Sequence, residues 1–139
     1  MKPRILVFDS DSAITQQLFW TLCDHYDVVT ANDLHTALRR AASYEPAIAV
    51  LDLSGNDFAG GSNAGLRILE YLKSRFPKCR ILGMISEVLP ANRQKCFKLG
   101  VDELLDKPFD TEQLLDLLRR LAPFRSMDPV ESGAFKLCY

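Results

Sequence analysis

The amino-acid sequence predicts an α/β protein with a doubly wound, five-stranded parallel sheet, and three observations support that fold class. Short continuous apolar runs recur along the chain, and such runs are typical of strands buried on both faces of a parallel sheet. Stretches with apolar residues at helical spacing separate these runs. The length of 139 residues, with 47% hydrophobic and 25% charged residues, suits one globular domain with its own core.

Each predicted strand is a short apolar or β-branched run, and most of these runs end at a polar or charged residue. The predicted strands span residues 5–8, 27–30, 47–51, 80–85 and 101–105. Strands that alternate with helices imply parallel pairing with helices on both faces of the sheet. Right-handed crossovers then restrict the topology to a flavodoxin-like (βα)5 fold.

The predicted helices carry apolar residues at helical spacing and residues that favour a helix end. Asn32 or Asp33 can cap the second helix, Gly100 stops the fourth and Thr111 caps the fifth. The remaining helix limits follow from the apolar spacing, and they are residues 12–26, 65–76 and 91–99.

Charge and cysteine content exclude several classes of protein. A formal net charge of −1 argues against a nucleic-acid binder, which normally has a strongly basic face. Apolar runs are too short for a membrane span or a signal-peptide core, so we expect a cytoplasmic protein without a membrane partner. The cysteines are scattered without a C-x-x-C pair, which favours reduced thiols. They are Cys23, Cys79, Cys96 and Cys138.

Reactive or charged side chains follow four of the five predicted strands. They are Asp9 with Asp11 nearby, Asp52, Ser86, and the pair Asp106 and Lys107. Because ligands in such sheets bind at the carboxyl ends of the strands, we expect these side chains to gather in one pocket. Paired carboxylates suit Mg²⁺, while a lysine and a hydroxyl suit a phosphoryl group. The pattern therefore indicates phosphoryl transfer to an aspartate that acts as covalent nucleophile.

These strand ends resemble those of the response-regulator receiver domain of two-component signalling. The resemblance is carried by residues 5–9, 48–52, 85–86 and 106–109, and their spacings agree with that family. It covers roughly residues 3–122. It implies a receiver domain over residues 1–123, followed by a C-terminal tail or linker over residues 124–139.

The resemblance implies a role for each strand-end residue. Asp52 accepts the phosphoryl group from a histidine kinase or a phosphotransfer protein, and Ser86 and Lys107 bind that group. The peptide bond between Lys107 and Pro108 is expected to be cis. The surface of the fourth helix, fifth strand and fifth helix would signal to a downstream effector protein. The chain is then a phosphoacceptor with self-dephosphorylation at most, and it is not a turnover enzyme.

The metal site departs from the family pattern. The resemblance implies that Asp9, Asp52 and the backbone carbonyl of Ser54 hold Mg²⁺. Ser10 stands where the family usually has a second acid, and a hydroxyl is a poorer ligand for a hard cation than a carboxylate. We therefore expect weakened Mg²⁺ binding, with Asp11 as a further candidate ligand through a shifted turn or a water.

Two other positions also differ from the family. The loop over residues 55–63 is longer than usual, which predicts a flexible flap over the site, and Asp57 in it is a candidate replacement ligand. Leu104 occupies the switch position three residues before Lys107, where an aromatic side chain often stands. The aromatic form of the phosphorylation switch is therefore not expected.

Two alternatives remain open from the sequence. The first is a phosphorylation-independent pseudo-receiver that acts as a protein-interaction module, which Ser10 and the altered loop favour. The second is a phosphatase of the haloacid-dehalogenase type with Asp9 as nucleophile, because residues 9–11 resemble the D-x-D start of that family. The tail over residues 124–139 has three open roles: covering the domain, pairing two chains as a homodimer, or joining an output region.

Overall fold

The computed structural model describes residues 2–54, 63–86 and 90–121, and strands alternate with helices along them. The strands are β1 (Arg4–Phe8), β2 (Asp27–Ala31), β3 (Ile48–Asp52), β4 (Arg80–Ile85) and β5 (Glu103–Asp106). The helices are α1 (Ser12–Leu22), α2 (Leu34–Tyr44), α3 (Ala64–Arg75), α4 (Pro90–Lys98) and α5 (Thr111–Leu121). Among these helices, none has the length and apolar character needed to cross a membrane.

The five described strands form one parallel sheet in the order β2-β1-β3-β4-β5. This is the flavodoxin-like order, so the predicted fold class is confirmed. β1 pairs with β2 on one side and with β3 on the other, where Ile5 lies opposite Ile48 and Phe8 opposite Leu51. The strand order reverses at this pair, which places the residues that follow β1 and β3 side by side.

The core consists of two apolar clusters, one on each face of the sheet. Successive strand residues point to opposite faces, so Leu6 and Leu51 pack with α2 and α3, while Ile5 and Val50 pack with α1 and α5. All four of these side chains are fully buried. Burial on both faces explains why these strands appear in the sequence as continuous apolar runs.

Several helix and strand limits differ from the predicted ones. α1 ends at Leu22 rather than at residue 26, because the chain must turn there to begin β2, where the Asp27 N–H donates to the Pro3 carbonyl at 2.8 Å. His25 therefore lies in that turn and not on the helix. β5 starts at Glu103, two residues later than predicted, and Asp102 just before it holds Ile81 at both ends: its N–H donates to the Ile81 carbonyl at 2.9 Å and its carboxylate accepts the Ile81 N–H at 2.8 Å.

The N-terminal caps of α2 and α5 are now defined: the first decides between two predicted residues, and the second differs from the predicted one. Asp33 caps α2 by accepting the Thr36 N–H at 2.8 Å. Asp110 rather than Thr111 caps α5, because its carboxylate accepts the Gln113 N–H at 2.8 Å. The Gln113 side chain accepts the Asp110 N–H in return, which completes a capping box.

The turn that follows α4 contains Gly100 at a φ of 113°, a backbone conformation that residues other than glycine rarely adopt. The predicted stop at this glycine is confirmed. Trp20 is 70% exposed and touches the Phe19 ring edge-to-face at 5.3 Å between centroids. It lies on the side of α1 opposite the buried face formed by Leu18 and Leu22.

Some sequence predictions fall outside the described residues. They concern the flap over residues 55–62 with Asp57, and the tail over residues 124–139 with Cys138. Asn63, the last residue assigned to the flap, is described: it is buried and caps α3.

Candidate functional site

Three strand ends bring Asp9, Asp52 and Lys107 together. Asp9 follows β1, Asp52 ends β3, and Lys107 follows β5. The Asp9 N–H donates to the Ala31 carbonyl at 3.2 Å, and the Lys107 N–H donates to the Ile85 carbonyl at 2.8 Å. Backbone pairing therefore continues past the ends of the strands and fixes where these side chains start. The peptide bond between Lys107 and Pro108 is cis, as the resemblance implies.

The Lys107 ammonium lies between the two carboxylates. Its Nζ is 2.8 Å from Asp9 Oδ2 and 3.3 Å from Asp52 Oδ1. The Asp9 side chain is 2% exposed, that of Asp52 12% and that of Lys107 18%. Two carboxylates at this burial would repel each other strongly without the cation, so the ammonium is what permits both charges to coexist.

The electrostatics of Lys107 reflect a competition between burial and charge. Burial by itself lowers the pKa of the ammonium, because desolvation disfavours the charged form. The hydrogen bond to Asp9 and the charges of Asp52 and Asp9 outweigh it, so the pKa of Lys107 is raised above its ordinary value. Lys107 is therefore fully protonated at neutral pH and offers a fixed positive charge to any anion in the pocket.

The two carboxylate oxygens of Asp52 differ in the hydrogen bonds that they accept from the described residues. Its Oδ1 accepts the Ser54 N–H at 2.9 Å and faces Lys107. Its Oδ2 accepts no hydrogen bond from the residues that the structure describes. The Ser54 and Ser86 hydroxyl oxygens lie 3.4 Å apart, which joins the ends of β3 and β4 beside the acid. Ser86 itself is exposed at the rim.

The turn after β1 is held by hydrogen bonds that the sequence did not reveal. Asp9 Oδ1 accepts the Asp11 N–H at 2.9 Å, and Asp11 caps α1 by accepting the Ala13 N–H. The Asn32 side-chain amide donates to the Asp9 carbonyl oxygen at 2.7 Å and to Thr15 Oγ at 2.9 Å. The sequence suggested Asn32 as a cap for α2; its amide instead ties the end of β2 to the start of α1.

The predicted acidic pocket is smaller than expected. Asp106 points away from it, and its carboxylate is 2.6 Å from the Arg93 guanidinium of α4. Asp11 is exposed and serves as a helix cap. Within residues 2–54, 63–86 and 90–121, no cluster of three or more acidic, His or Cys side chains could hold a metal. The prediction that four acids gather is therefore wrong: Asp9 and Asp52 are the pair that meets at Lys107.

The remaining oxygen ligands still suit a hard cation that needs only one or two carboxylates from the protein. Mg²⁺ is usually held by one or two carboxylates, with waters and phosphate oxygens completing its shell. Asp9 and Asp52 supply two carboxylates on adjoining strands, and Ser10 on the exposed turn adds no third charge. This donor set suits Mg²⁺ together with a bound phosphoryl group.

Leu104, at the switch position, is partly buried on β5. It packs against the apolar cluster on the α2 and α3 face of the sheet, and its Cδ2 methyl lies near Gly83. This position therefore has aliphatic packing in place of the aromatic side chain that the resemblance suggests.

A groove of about 350 Å³ opens beside Lys107. Its walls come from α1 and from the segment after β5, with Ile14, Gln17 and Leu18 on one side and Lys107, Pro108 and Phe109 on the other, and Ser86 at its edge. The groove is mostly apolar and reaches the charged pocket at one end.

A parallel α/β sheet with a lysine between two strand-end aspartates provides charged groups that suit a phosphoryl group at the carboxyl edge of the sheet. The family model of the response regulator receiver domain matches residues 5–119. The chain belongs to that family, and it is a phosphoacceptor module of two-component signalling. The sequence-based recognition is confirmed, and neither the pseudo-receiver nor the phosphatase alternative is favoured.

Relatives with curated names are consistent with this family. The chain is 33% identical over 141 residues to the response regulator MprA of Mycobacterium bovis, covering 98% of this chain and 58% of that protein. It is 27% identical over 131 residues to the probable transcriptional regulatory protein TcrX of Mycobacterium tuberculosis, covering 94% and 54%. The chain therefore spans a little over half the length of these two relatives.

Solved structures share the fold. The chemotaxis protein CheY4 of Vibrio cholerae superposes with a TM-score of 0.76 at 26% identity, covering 88% of this chain and all of that one. The response regulator DrrB of Thermotoga maritima superposes with a TM-score of 0.73 at 24% identity, covering 86% of this chain and 52% of that one, and shows likeness of fold.

Proposed function

We propose that Asp52 is the residue that accepts the phosphoryl group, and that Oδ2 is the attacking atom. The observation that supports this most directly is the uneven use of its two oxygens. Oδ1 is held by the Ser54 N–H and faces Lys107, whereas Oδ2 accepts no hydrogen bond from the described residues. Asp9 is a poorer nucleophile, because its carboxylate is 2% exposed and accepts from both Lys107 and the Asp11 N–H.

The proposed step moves one phosphoryl group from nitrogen to oxygen. Asp52 Oδ2 attacks the phosphorus of a phosphohistidine on the partner, an O–P bond forms and the P–N bond breaks. The bonding electrons leave with the imidazole, which takes a proton from solvent. Self-dephosphorylation returns Asp52 to its free carboxylate. Water attacks the phosphorus, the bond between Asp52 Oδ2 and phosphorus breaks, and inorganic phosphate leaves while a proton is released to solvent. The chain is then a signalling module whose own carboxylate is regenerated slowly.

The neighbouring residues supply charge and hydrogen bonds. The Lys107 ammonium neutralises a phosphoryl oxygen while it remains paired with Asp9. In this proposal the Ser86 hydroxyl, 3.4 Å from that of Ser54, donates to the phosphoryl group. Mg²⁺, held by Asp9, Asp52 and the Ser54 carbonyl, supplies further positive charge to the phosphoryl oxygens when bound. With Ser10 in place of an acid, we expect this Mg²⁺ site to be weak.

The groove beside Lys107 suits the phosphodonor. A histidine kinase or phosphotransfer protein must present its phosphohistidine to Asp52 while its own surface covers the rim. The partly exposed apolar side chains of Ile14 and Phe109 would contact a partner helix next to the charged pocket. The surface of α4, β5 and α5 remains for a downstream effector. In this proposal the receiver domain spans residues 1–123, and the C-terminal tail spans residues 124–139.

The test is phosphorylation by acetyl phosphate with Mg²⁺, followed by intact-protein mass spectrometry. We expect a mass gain of one phosphoryl group in the wild type and none in Asp52→Asn. Asp106→Asn is the matched control, because it removes a strand-end carboxylate that lies outside the pocket. A gain that survives Asp52→Asn would refute the assignment of the acceptor.

The two alternatives give different results in the same experiment. A wild-type protein that never gains mass, yet still binds its partner, would indicate the pseudo-receiver. Steady release of phosphate from an aryl phosphate, abolished by Asp9→Asn, would indicate the phosphatase. The burial of Asp9 between Lys107 and the Asp11 N–H argues against that outcome.

A further inference from the structure

Asn63 is a buried polar side chain that contacts the acceptor strand from outside the recognised site. It is 8% exposed, and both ends of its amide are engaged. The Oδ1 atom accepts the Leu66 N–H at 3.0 Å and so caps α3. The Nδ2 atom donates to the Leu53 carbonyl at 3.0 Å, one residue past Asp52. Capping explains the first bond; the second has no role in starting a helix.

The second bond reaches Asp52 through a single peptide group. The Leu53 carbonyl and the Ser54 N–H belong to the same planar peptide unit and point in opposite directions. The Ser54 N–H donates to Asp52 Oδ1 at 2.9 Å. A continuous relay therefore runs from the Asn63 amide, through this peptide, to the engaged oxygen of the acceptor. The Leu53 N–H is held as well, by the Met84 carbonyl at 2.8 Å.

Such a relay has two physical effects. It fixes the plane of the peptide, so the Ser54 N–H can point only at Asp52 Oδ1 and the carboxylate cannot rotate freely. A hydrogen bond to the carbonyl also polarises the peptide and makes its N–H a stronger donor. Both effects keep Oδ1 occupied and leave Oδ2 turned toward an incoming phosphorus.

We propose that Asn63 is a positioning residue for the phosphoacceptor: it orients Asp52 through the peptide between Leu53 and Ser54. The inference rests on the proposed role of Asp52. It gives Asn63 a task beyond starting α3, and it links the start of that helix to the reactivity of the site.

Two variants separate positioning from capping. Asn63→Asp keeps the acceptor that caps α3 and loses the donor to Leu53. Asn63→Ser also keeps a capping oxygen, on a shorter side chain that introduces no charge. Asp33→Ala is the matched control, because it removes the equivalent cap from α2 without touching the acceptor strand.

The first readout is the Ser54 amide, followed by nuclear magnetic resonance. In both Asn63 variants we expect its proton signal to move upfield and its hydrogen exchange to accelerate, while Asp33→Ala leaves both unchanged. The second readout is the rate of phosphorylation by acetyl phosphate at saturating Mg²⁺. We expect a fall of about threefold to tenfold, the usual worth of one hydrogen bond.

An unchanged Ser54 amide in both Asn63 variants, with a rate within twofold of the wild type, would overturn the proposal and leave Asn63 as a cap alone. The amide signal also separates this inference from the proposed function. A wild type that is never phosphorylated would refute the function of Asp52, whereas the response of the Ser54 amide would still decide whether the relay exists.

Discussion

Gly65 sits where the start of α3 presses on the backbone of the acceptor, and replacing it with alanine is the sharpest test of the packing behind the site. An ideal Cβ at this position would lie 2.0 Å from the Asp52 carbonyl oxygen and 3.0 Å from the Leu53 Cδ2 methyl. The closest of these atoms belongs to the main chain, so no side-chain rotation can relieve the clash. Either α3 or the end of β3 must move by about 1 Å or more.

The cost follows from that geometry. Overpacking a core position costs about 1–3 kcal/mol, and the helix propensity of alanine returns at most about 1 kcal/mol. We expect Gly65→Ala to lower the free energy of unfolding by about 2 kcal/mol, which is roughly 8 °C in melting temperature for a domain of this size. Because the clashing atom is the main-chain carbonyl oxygen of the acceptor residue Asp52 itself, we also expect phosphorylation to slow by about tenfold or more.

Gly83→Ala supplies a matched control on the neighbouring strand. Its Cβ would lie 2.7 Å from the Leu53 Cδ1 methyl and 3.1 Å from the Leu104 Cδ2 methyl, both at the ends of flexible side chains. We expect this variant to lose about 1 kcal/mol and to keep the wild-type phosphorylation rate. Thermal unfolding followed by circular dichroism gives the stabilities, and acetyl phosphate kinetics give the rates. The reasoning fails if Gly65→Ala melts within 2 °C of the wild type and is phosphorylated within twofold of its rate.

Three further predictions concern other parts of the chain. Burial raises the pKa of the Cys79 thiol to about 12, so the unfolded chain loses this proton first as the pH rises above about 8.5. Stability should therefore fall between pH 9 and 11 in urea titrations, and it should fall less in Cys79→Ala. Asp110→Ala removes the capping box with Gln113 and should cost about 1 kcal/mol in the same assay. Ser10→Asp restores a second acid and should tighten Mg²⁺ binding by about tenfold in calorimetry; unchanged affinity would argue against a metal site at this turn.

The sequence was sufficient to predict the sheet because burial leaves a strong mark on it. Residues 5–8 and 48–51 are covered on both faces, so each run had to be apolar throughout, and each had to end where the chain reached solvent. The C-terminal end of α1 was harder to predict from the sequence. Residues 23–26 continue the composition of the helix, and it is the pairing of Asp27 with Arg4 in the sheet that forces the chain to turn.

The site was predicted in part, for a similar reason. Asp9 follows β1, Asp52 ends β3 and Lys107 follows β5, so the topology alone brings them to one edge of the sheet. Asn32 and Asn63 gave no comparable signal, because an asparagine near a helix start reads equally well as a cap. Which backbone oxygen its amide reaches depends on the packing of two elements that are distant in the chain.

The acidic pocket itself shows why position at a strand end is necessary and not sufficient. Asp106 ends β5 at the same edge of the sheet as Asp52. Because successive side chains along a strand point to opposite faces, however, Asp106 and the next residue, Lys107, point in opposite directions. Asp106 therefore meets Arg93 of α4 at 2.6 Å, while Lys107 turns inward to Asp9 and Asp52. One step along the strand separates a surface ion pair, worth little to stability, from the charge that permits two buried carboxylates to lie together. The chemistry of this site thus depends on which face of the sheet each residue at the end of β5 points to, as much as on the type of residue.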